Sequence, residues 1–320
     1  VQGTLMTLRS EIMQLTRPTM QVNGVRAPPA RSMAKTGSEK AVSFKEWARP
    51  CELAPTLLQQ QIMEYDVSEY DFVGAAEAIF GHSLAELQNT PLTPVSETAP
   101  ALRRAQIQAR VGPRVTKEER KLARSRAWCF ERSAEWREFM DVYERFVAQW
   151  VVPQLGDTSL LYQRKPILRV VLPGSVAPTQ LHCDADYYHD SNELNFWVPL
   201  THCWGANSLW SESVSGLGDY AAFDAGPGQA VRFYGNRCRH YTVPNDSNRV
   251  RVSFDFRVIQ KRLFVPPTPL ASTLSQHALD PGASKKGYYA IIHRAEESAQ
   301  SLGELRRSWL EATPGCTQAS

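Results

Sequence analysis

Arg249-Val250-Arg251-Val252-Ser253-Phe254-Asp255-Phe256-Arg257-Val258 alternates without a break. Val250, Val252, Phe254, Phe256 and Val258 share one face, and every polar residue falls on the other. A period of two belongs to a β-strand, whose successive side chains point to opposite sides. A strand with its charges in water would give the same pattern. This one is long, however, and its polar face mixes both signs of charge with a hydroxyl. A polar face that lines a site is therefore the competing explanation.

Working outward, short apolar or alternating runs bounded by Gly, Pro and Asn recur at 167–172, 179–184, 193–200, 207–212, 229–234 and 237–242. Together with 249–259 they predict strands. Before Pro153 the pattern is helical. A short helix is expected over 71–80, followed by a Thr/Pro loop at 89–100. Thr116, followed by Lys-Glu-Glu, is an N-cap for a second helix reaching 127. A third, over 134–151, carries Trp136, Phe139, Met140, Tyr143, Phe146, Val147 and Trp150 as one apolar stripe, which needs a sheet to lie on. Strands that follow helices, rather than alternate with them, predict an α+β, mainly β chain: an antiparallel sandwich or barrel braced by N-terminal helices. The expected divisions are a disordered or targeting leader (1–48), a helical buttress (49–152), a core (153–262) and a tail (263–320). That tail holds a Pro/Ser loop over 266–287, a candidate lid ending in Tyr288-Tyr289, and a polar helix over 293–311.

At 320 residues, 42% hydrophobic and 22% charged, the chain has enough apolar content for a real core, which excludes disorder as its main state. No window approaches the about 18 uninterrupted apolar residues of a membrane span. No membrane partner is expected, and the chain is expected to be soluble. The net charge of +3 comes from the first 40 residues, where six bases face only Glu11 and Glu39. Nine bases crowd 103–126, but charge runs at helical spacing are usually solvated faces, so no nucleic-acid partner is expected. Six scattered cysteines without a C-x-x-C pair predict reduced thiols and an intracellular protein. That means cytoplasmic, or organellar if the basic leader is a transit segment. Asn245-Asp246-Ser247 matches a glycosylation triplet but also makes a good turn, and the turn is preferred.

Four of the seven histidines fall within 59 residues: His182, His189, His202 and His240. In His182-Cys183-Asp184-Ala185-Asp186 a strand would place His182, Asp184 and Asp186 on one face, so geometry alone does not choose between the carboxylates. His240, on a later strand, is the candidate third ligand. Two imidazoles and one carboxylate leave three positions of an octahedron open, as non-haem Fe(II) oxygenases require. Arg251 and Ser253 supply a guanidinium fork and a hydroxyl that suit the far carboxylate of a chelating dicarboxylate.

His182-x-Asp184, then 55 residues, His240, then ten residues and Arg251-x-Ser253 resembles the signature of Fe(II)/2-oxoglutarate-dependent dioxygenases. The segment from 161 to 259 is similar to their StrG-like group, distantly related to phytanoyl-CoA dioxygenases. The resemblance implies a double-stranded β-helix (jelly roll) and decides for Asp184. It implies Fe(II) on His182, Asp184 and His240, 2-oxoglutarate on Arg251 and Ser253, and O2 as the oxidant. It also implies hydroxylation of a small polar metabolite in biosynthesis: an amino-acid, guanidino or sugar-derived molecule. The rival is a non-redox, cupin-like jelly roll in which the same ligands hold another metal; it has no need of Arg251 with Ser253.

Other candidates remain open between cavity and packing roles. Arg169 either meets substrate or pairs with Asp255 or Glu193. Asn195 and Trp197 share a face that lines the cavity or meets solvent. Trp210 is a core or rim aromatic, as are Tyr187 and Tyr188, and Tyr288 closes the candidate lid. His189 and His202 are expected to be structural.

Overall fold

The computed structural model describes residues 50–87, 133–174, 177, 179–187, 189–265 and 288–294. All of them lie in one compact unit, 36–320. The leader, the loop at 89–100, the helix expected over 116–127, Tyr188, the lid segment 266–287 and the tail beyond 294 lie outside the described residues.

Helix α1 (Phe72–Phe80) begins at Asp71, whose carboxylate accepts from the Gly74 N–H, and ends at Gly81, where φ of 68° favours glycine. A single turn, α2 (Leu84–Leu87), follows. Helix α3 (Ala134–Phe146) is capped by Ser133, which accepts from the Trp136 N–H. The helix expected over 134–151 therefore forms, but its end widens into a π turn, Val147–Val151, before a last turn at Val152–Gln154.

The large sheet is antiparallel throughout. It comprises β1 (Gln61–Glu64), β2 (Ser159–Gln163), β3 (Ile167–Val171), β4 (Glu193–Pro199), β7 (Gln229–Phe233), β9 (Arg251–Gln260) and β10 (Tyr289–His293). Its order is β1-β7-β4-β9-β2-β10, and β3 also pairs with β9, alongside Arg251 to Asp255. A smaller sheet runs β6-β5-β8, from β5 (Trp210–Ser211), β6 (Ala221–Ala222) and β8 (His240–Tyr241).

β9 organises both sides of the large sheet. Val252, Phe254, Phe256 and Val258 are fully buried in the main core with α1 and α3. The Phe254 ring lies 4.7 Å from Phe72 and 5.5 Å from Phe139, and Phe256 lies 5.1 Å from Tyr143. Each such ring contributes about 1.5–3 kcal/mol of burial. The opposite face is not in water either. Arg251, Ser253 and Arg257 are all buried, which removes the solvated-face explanation of the alternation. On that side a second apolar cluster joins Trp197, Val231 and Phe233 to Cys203, Leu209, Phe223 and Ala225.

Four expectations are corrected. Residues 179–184 form no regular strand: His182 makes an isolated bridge to His240, and Asp184 opens a 3-10 helix, Asp184–Tyr187. The buttress, 49–152, contributes strand β1 to the sheet edge, and the tail contributes β10. His293 closes β10 rather than opening a helix, because 289–293 finds a backbone partner in β2. Tyr289 is buried in that strand and Tyr288 is tied down beside it, so neither ring belongs to a free lid.

Candidate metal centre

Backbone hydrogen bonds bring the two halves of the site together. His182 and His240 exchange N–H···O bonds of 3.2 and 2.8 Å. One turn on, the N–H groups of Asp184 and Ala185 donate to the carbonyls of Gly235 and Asn236. Gly235 is required there, because a Cβ would lie 2.7 Å from the Asn195 side chain.

One ligand atom each from His182, Asp184 and His240 lies within 4.8 Å of the others. Asp184 Oδ1 is 3.7 Å from His182 Nε2 and 3.8 Å from His240 Nε2. Each imidazole is oriented from behind: His182 Nδ1 meets the Gln180 carbonyl at 2.7 Å, and His240 Nδ1 meets the Cys238 carbonyl at 3.0 Å. A carbonyl only accepts, so both Nδ1 atoms carry a proton and both Nε2 atoms are turned toward the carboxylate.

Asp184 is almost fully buried yet ionised. Burial pushes its carboxyl up, but Arg257, His189 and His240 together outweigh that and hold it well below the usual carboxylate range. Burial pulls His240 down to about 4, against smaller upward contributions from Asp184 and the Cys238 carbonyl. It is therefore neutral and able to bind a metal near neutral pH. His182 is half-buried, with the exposed ring of Tyr187 edge-on to it at 5.2 Å, so the site opens on that side.

Asp186, the rival carboxylate, is exposed and accepts from the Cys183 N–H at 3.1 Å. A 3-10 turn does not keep alternate residues on one face, which separates the two acids that a strand would have aligned.

Arg251 and Ser253 lie on the inner face of β9, six and four residues before Arg257. Arg251 is 2% exposed, Ser253 is fully buried, and neither Arg251 Nε nor Ser253 Oγ has a hydrogen-bond partner. Burial brings the guanidinium down to about 10, with Arg169 and Asp255 as the charges around it and the Cys203 thiol, itself pushed up to about 11, close by. Among the described residues no carboxylate forms an ion pair with it. Donors left unsatisfied inside a protein fit an anion.

The remaining candidates divide. Asn195 joins the site: its Nδ2 donates to Asp184 Oδ2 at 2.6 Å and its Oδ1 accepts from the Gly235 N–H. Arg169 pairs with Asp255, Nε to Oδ1 at 2.5 Å, which makes it part of the protein's own charge balance. Trp197 sits in the second apolar cluster with Phe223 and Phe233, and the Phe233 ring in turn lies 5.4 Å from that of His240. The Trp210 ring stacks on Tyr241 and its N–H donates to the Gly205 carbonyl. Tyr288 Oη donates to Gln163 Oε1 and accepts from Arg257. His189 contacts Glu193 at 2.7 Å inside the protein, and His202 contacts Asp224 at the surface. Asn245 is buried and caps its own turn, out of reach of a glycan. Among the described residues Cys51, Cys183, Cys203 and Cys238 are free thiols.

Sequence reasoning missed Arg257. It donates from Nε to Asp184 Oδ2 at 2.9 Å and from a terminal nitrogen to Oδ1 at 3.0 Å. The signal was its shared face with Arg251 and Ser253.

No family model matches the chain. The streptomycin biosynthesis protein StrG of Streptomyces griseus is 38% identical over 114 residues, which are 35% of this chain and 54% of that protein. The chain thus spans about half the length of that curated relative. Among solved structures, the non-haem monooxygenase ThoJ in its nickel complex overlaps 64% of this chain and 76% of its own, at 17% identity and a TM-score of 0.35. The α-ketoglutarate-dependent epimerase SnoN from nogalamycin biosynthesis overlaps 40% of this chain and 64% of its own, at 16% identity and a TM-score of 0.28.

Proposed function

We propose that the chain is an Fe(II)- and 2-oxoglutarate-dependent oxygenase on a double-stranded β-helix, hydroxylating a small polar metabolite in a biosynthetic pathway. One observation carries the reading: a two-histidine, one-carboxylate cluster shares the protein with a buried Arg251 and Ser253 that lack partners. A redox-inactive metal site has no use for such an anion anchor. The similarity to a streptomycin biosynthesis protein supports the choice of a small polar substrate.

His182, Asp184 and His240 would hold the iron, and Arg251 with Ser253 would receive the distal carboxylate of the co-substrate. When bound, iron supplies the activation of O2, coupled to oxidative decarboxylation of 2-oxoglutarate to succinate and CO2, with one oxygen atom passing to the substrate. The chain's part is to bind, orient and exclude water. The Gln180 and Cys238 carbonyls fix the imidazole tautomers. Asn195 and Arg257 hold the carboxylate. The burial of Asp184, His240 and Arg257 keeps the inner side dry, so substrate enters past His182 and Tyr187.

The test is anaerobic titration with Fe(II) and 2-oxoglutarate. The weak visible charge-transfer band of the chelate is expected in wild type and absent in His182→Ala and His240→Ala. No band in folded wild-type protein, or a band that survives in both variants, would sink the oxygenase reading. Metal uptake indifferent to 2-oxoglutarate would leave the non-redox jelly roll standing.

A further inference from the structure

The hydrogen bonds of Asp184 can be counted against its capacity. A carboxylate has about four in-plane lone-pair directions, two on each oxygen. The Arg257 fork occupies the facing lone pair of each oxygen, at 2.9 and 3.0 Å. Asn195 Nδ2 takes a second direction on Oδ2 at 2.6 Å. One direction remains, on Oδ1, the oxygen 3.7 and 3.8 Å from the two imidazole nitrogens. A metal chelated by both oxygens would need the two facing lone pairs that the guanidinium holds.

Arg257 is itself fixed. It is 8% exposed, its other terminal nitrogen donates to Gln163 Oε1 at 3.4 Å and Tyr288 Oη at 3.3 Å, and Glu193 Oε2 lies 3.7 Å from Nε. Those partners come from β2, β4 and the residue before β10, so the fork is held from three directions.

We propose that Arg257 is a positioning residue that restricts Asp184 to one coordinating oxygen and thereby keeps a third metal position open. The inference rests on the oxygenase reading. Two histidines and a one-oxygen carboxylate leave three positions on an octahedron, two for a chelating 2-oxo acid and one for O2. A chelating carboxylate would take the last. Lysine is a point charge without the fork, so Arg257→Lys should not replace arginine here.

The experiment uses Mn(II) as a redox-silent probe, with crystal structures of the full chain as wild type, Arg257→Lys and Arg257→Gln. Wild type is expected to bind Mn(II) through Asp184 Oδ1 alone, with the Arg257 fork in place. Both variants are expected to bind it through both Asp184 oxygens. A second readout is nitric oxide, a stand-in for O2, added to the anaerobic Fe(II)–2-oxoglutarate complex and followed by electron paramagnetic resonance. Its affinity is expected to fall about tenfold in either variant. Two-oxygen binding in wild type, or an Arg257 that leaves Asp184 when the metal binds, overturns the proposal even if the variants do not fold. One-oxygen binding retained in folded Arg257→Gln overturns it as well. Wild type that binds Mn(II) here but has no affinity for 2-oxoglutarate refutes the oxygenase reading alone, and coordination still decides the role of Arg257. Wild type that binds no Mn(II) refutes both.

Discussion

Arg251 brings a positive charge into the interior with no carboxylate to meet it. Burial lowers its pKa to about 10, so at neutral pH it stays charged and the unliganded fold bears the cost. Arg251→Met, of similar length and without the charge, is expected to stabilise the ligand-free protein by about 1–4 kcal/mol in urea unfolding. The same change is expected to weaken 2-oxoglutarate binding by about 1.5–3 kcal/mol, read from the Kd, with metal affinity retained. A fold destabilised by the substitution would make Arg251 structural. His240 carries a pH signature of the metal-free protein. Its folded pKa of about 4 lies below the ordinary 6.5, so between those values the unfolded chain takes up a proton that the folded one refuses. Stability is therefore expected to fall by about 3 kcal/mol as pH drops from 6.5 to 4, with no contribution above 6.5. Asp184 acts in the same sense but lower down: its depressed carboxyl stabilises above the unfolded value of 3.8 and loses that contribution as pH falls from there toward its folded value. Chelator-treated wild type and His240→Gln, unfolded in urea at pH 7 and pH 5, separate the two effects. An equal fall in both proteins would assign the acid sensitivity elsewhere.

At the scale of elements, β9 does two jobs because its side chains alternate. One face anchors the helices, and the other carries Arg251, Ser253, Asp255 and Arg257. Phe254→Ala, which removes a fully buried ring between Phe72 and Phe139, is expected to cost about 3–5 kcal/mol. Under conditions where the variant remains folded, its Mn(II) affinity should match wild type, since the deleted ring lies on the helix side. A parallel loss of metal affinity would show that the two faces are coupled. This duality was legible in the decapeptide, as were the helices over 71–80 and from 134 onward, though not their Asp71 and Ser133 caps. The short elements were not. β1, Gln-Ile-Met-Glu, has one buried side chain and exists because β7 offers it an edge. The segment 179–184 failed in the other direction: alternating His182, Asp184 and Asp186 imitate a strand, while the backbone turns to bond with Gly235 and Asn236.

At the scale of the whole molecule, local periodicity and fixed spacing determined a great deal. They set the division into a helical first part and a strand-rich second part, the two-faced character of β9, and the candidacy of His182, Asp184, His240, Arg251 and Ser253. Each depends on residues a few positions apart, or on an order along the chain that folding leaves intact. Tertiary structure alone decided the partnerships. It turned Asp186 out to solvent through a 3-10 turn, gave Arg169 to Asp255, put Trp197 into an apolar cluster, and closed Arg257 on Asp184 from 73 residues away. The physical reason is register: which side chains meet across a sheet depends on backbone pairing between distant segments, and a shift of one residue would turn every one of them to the other face.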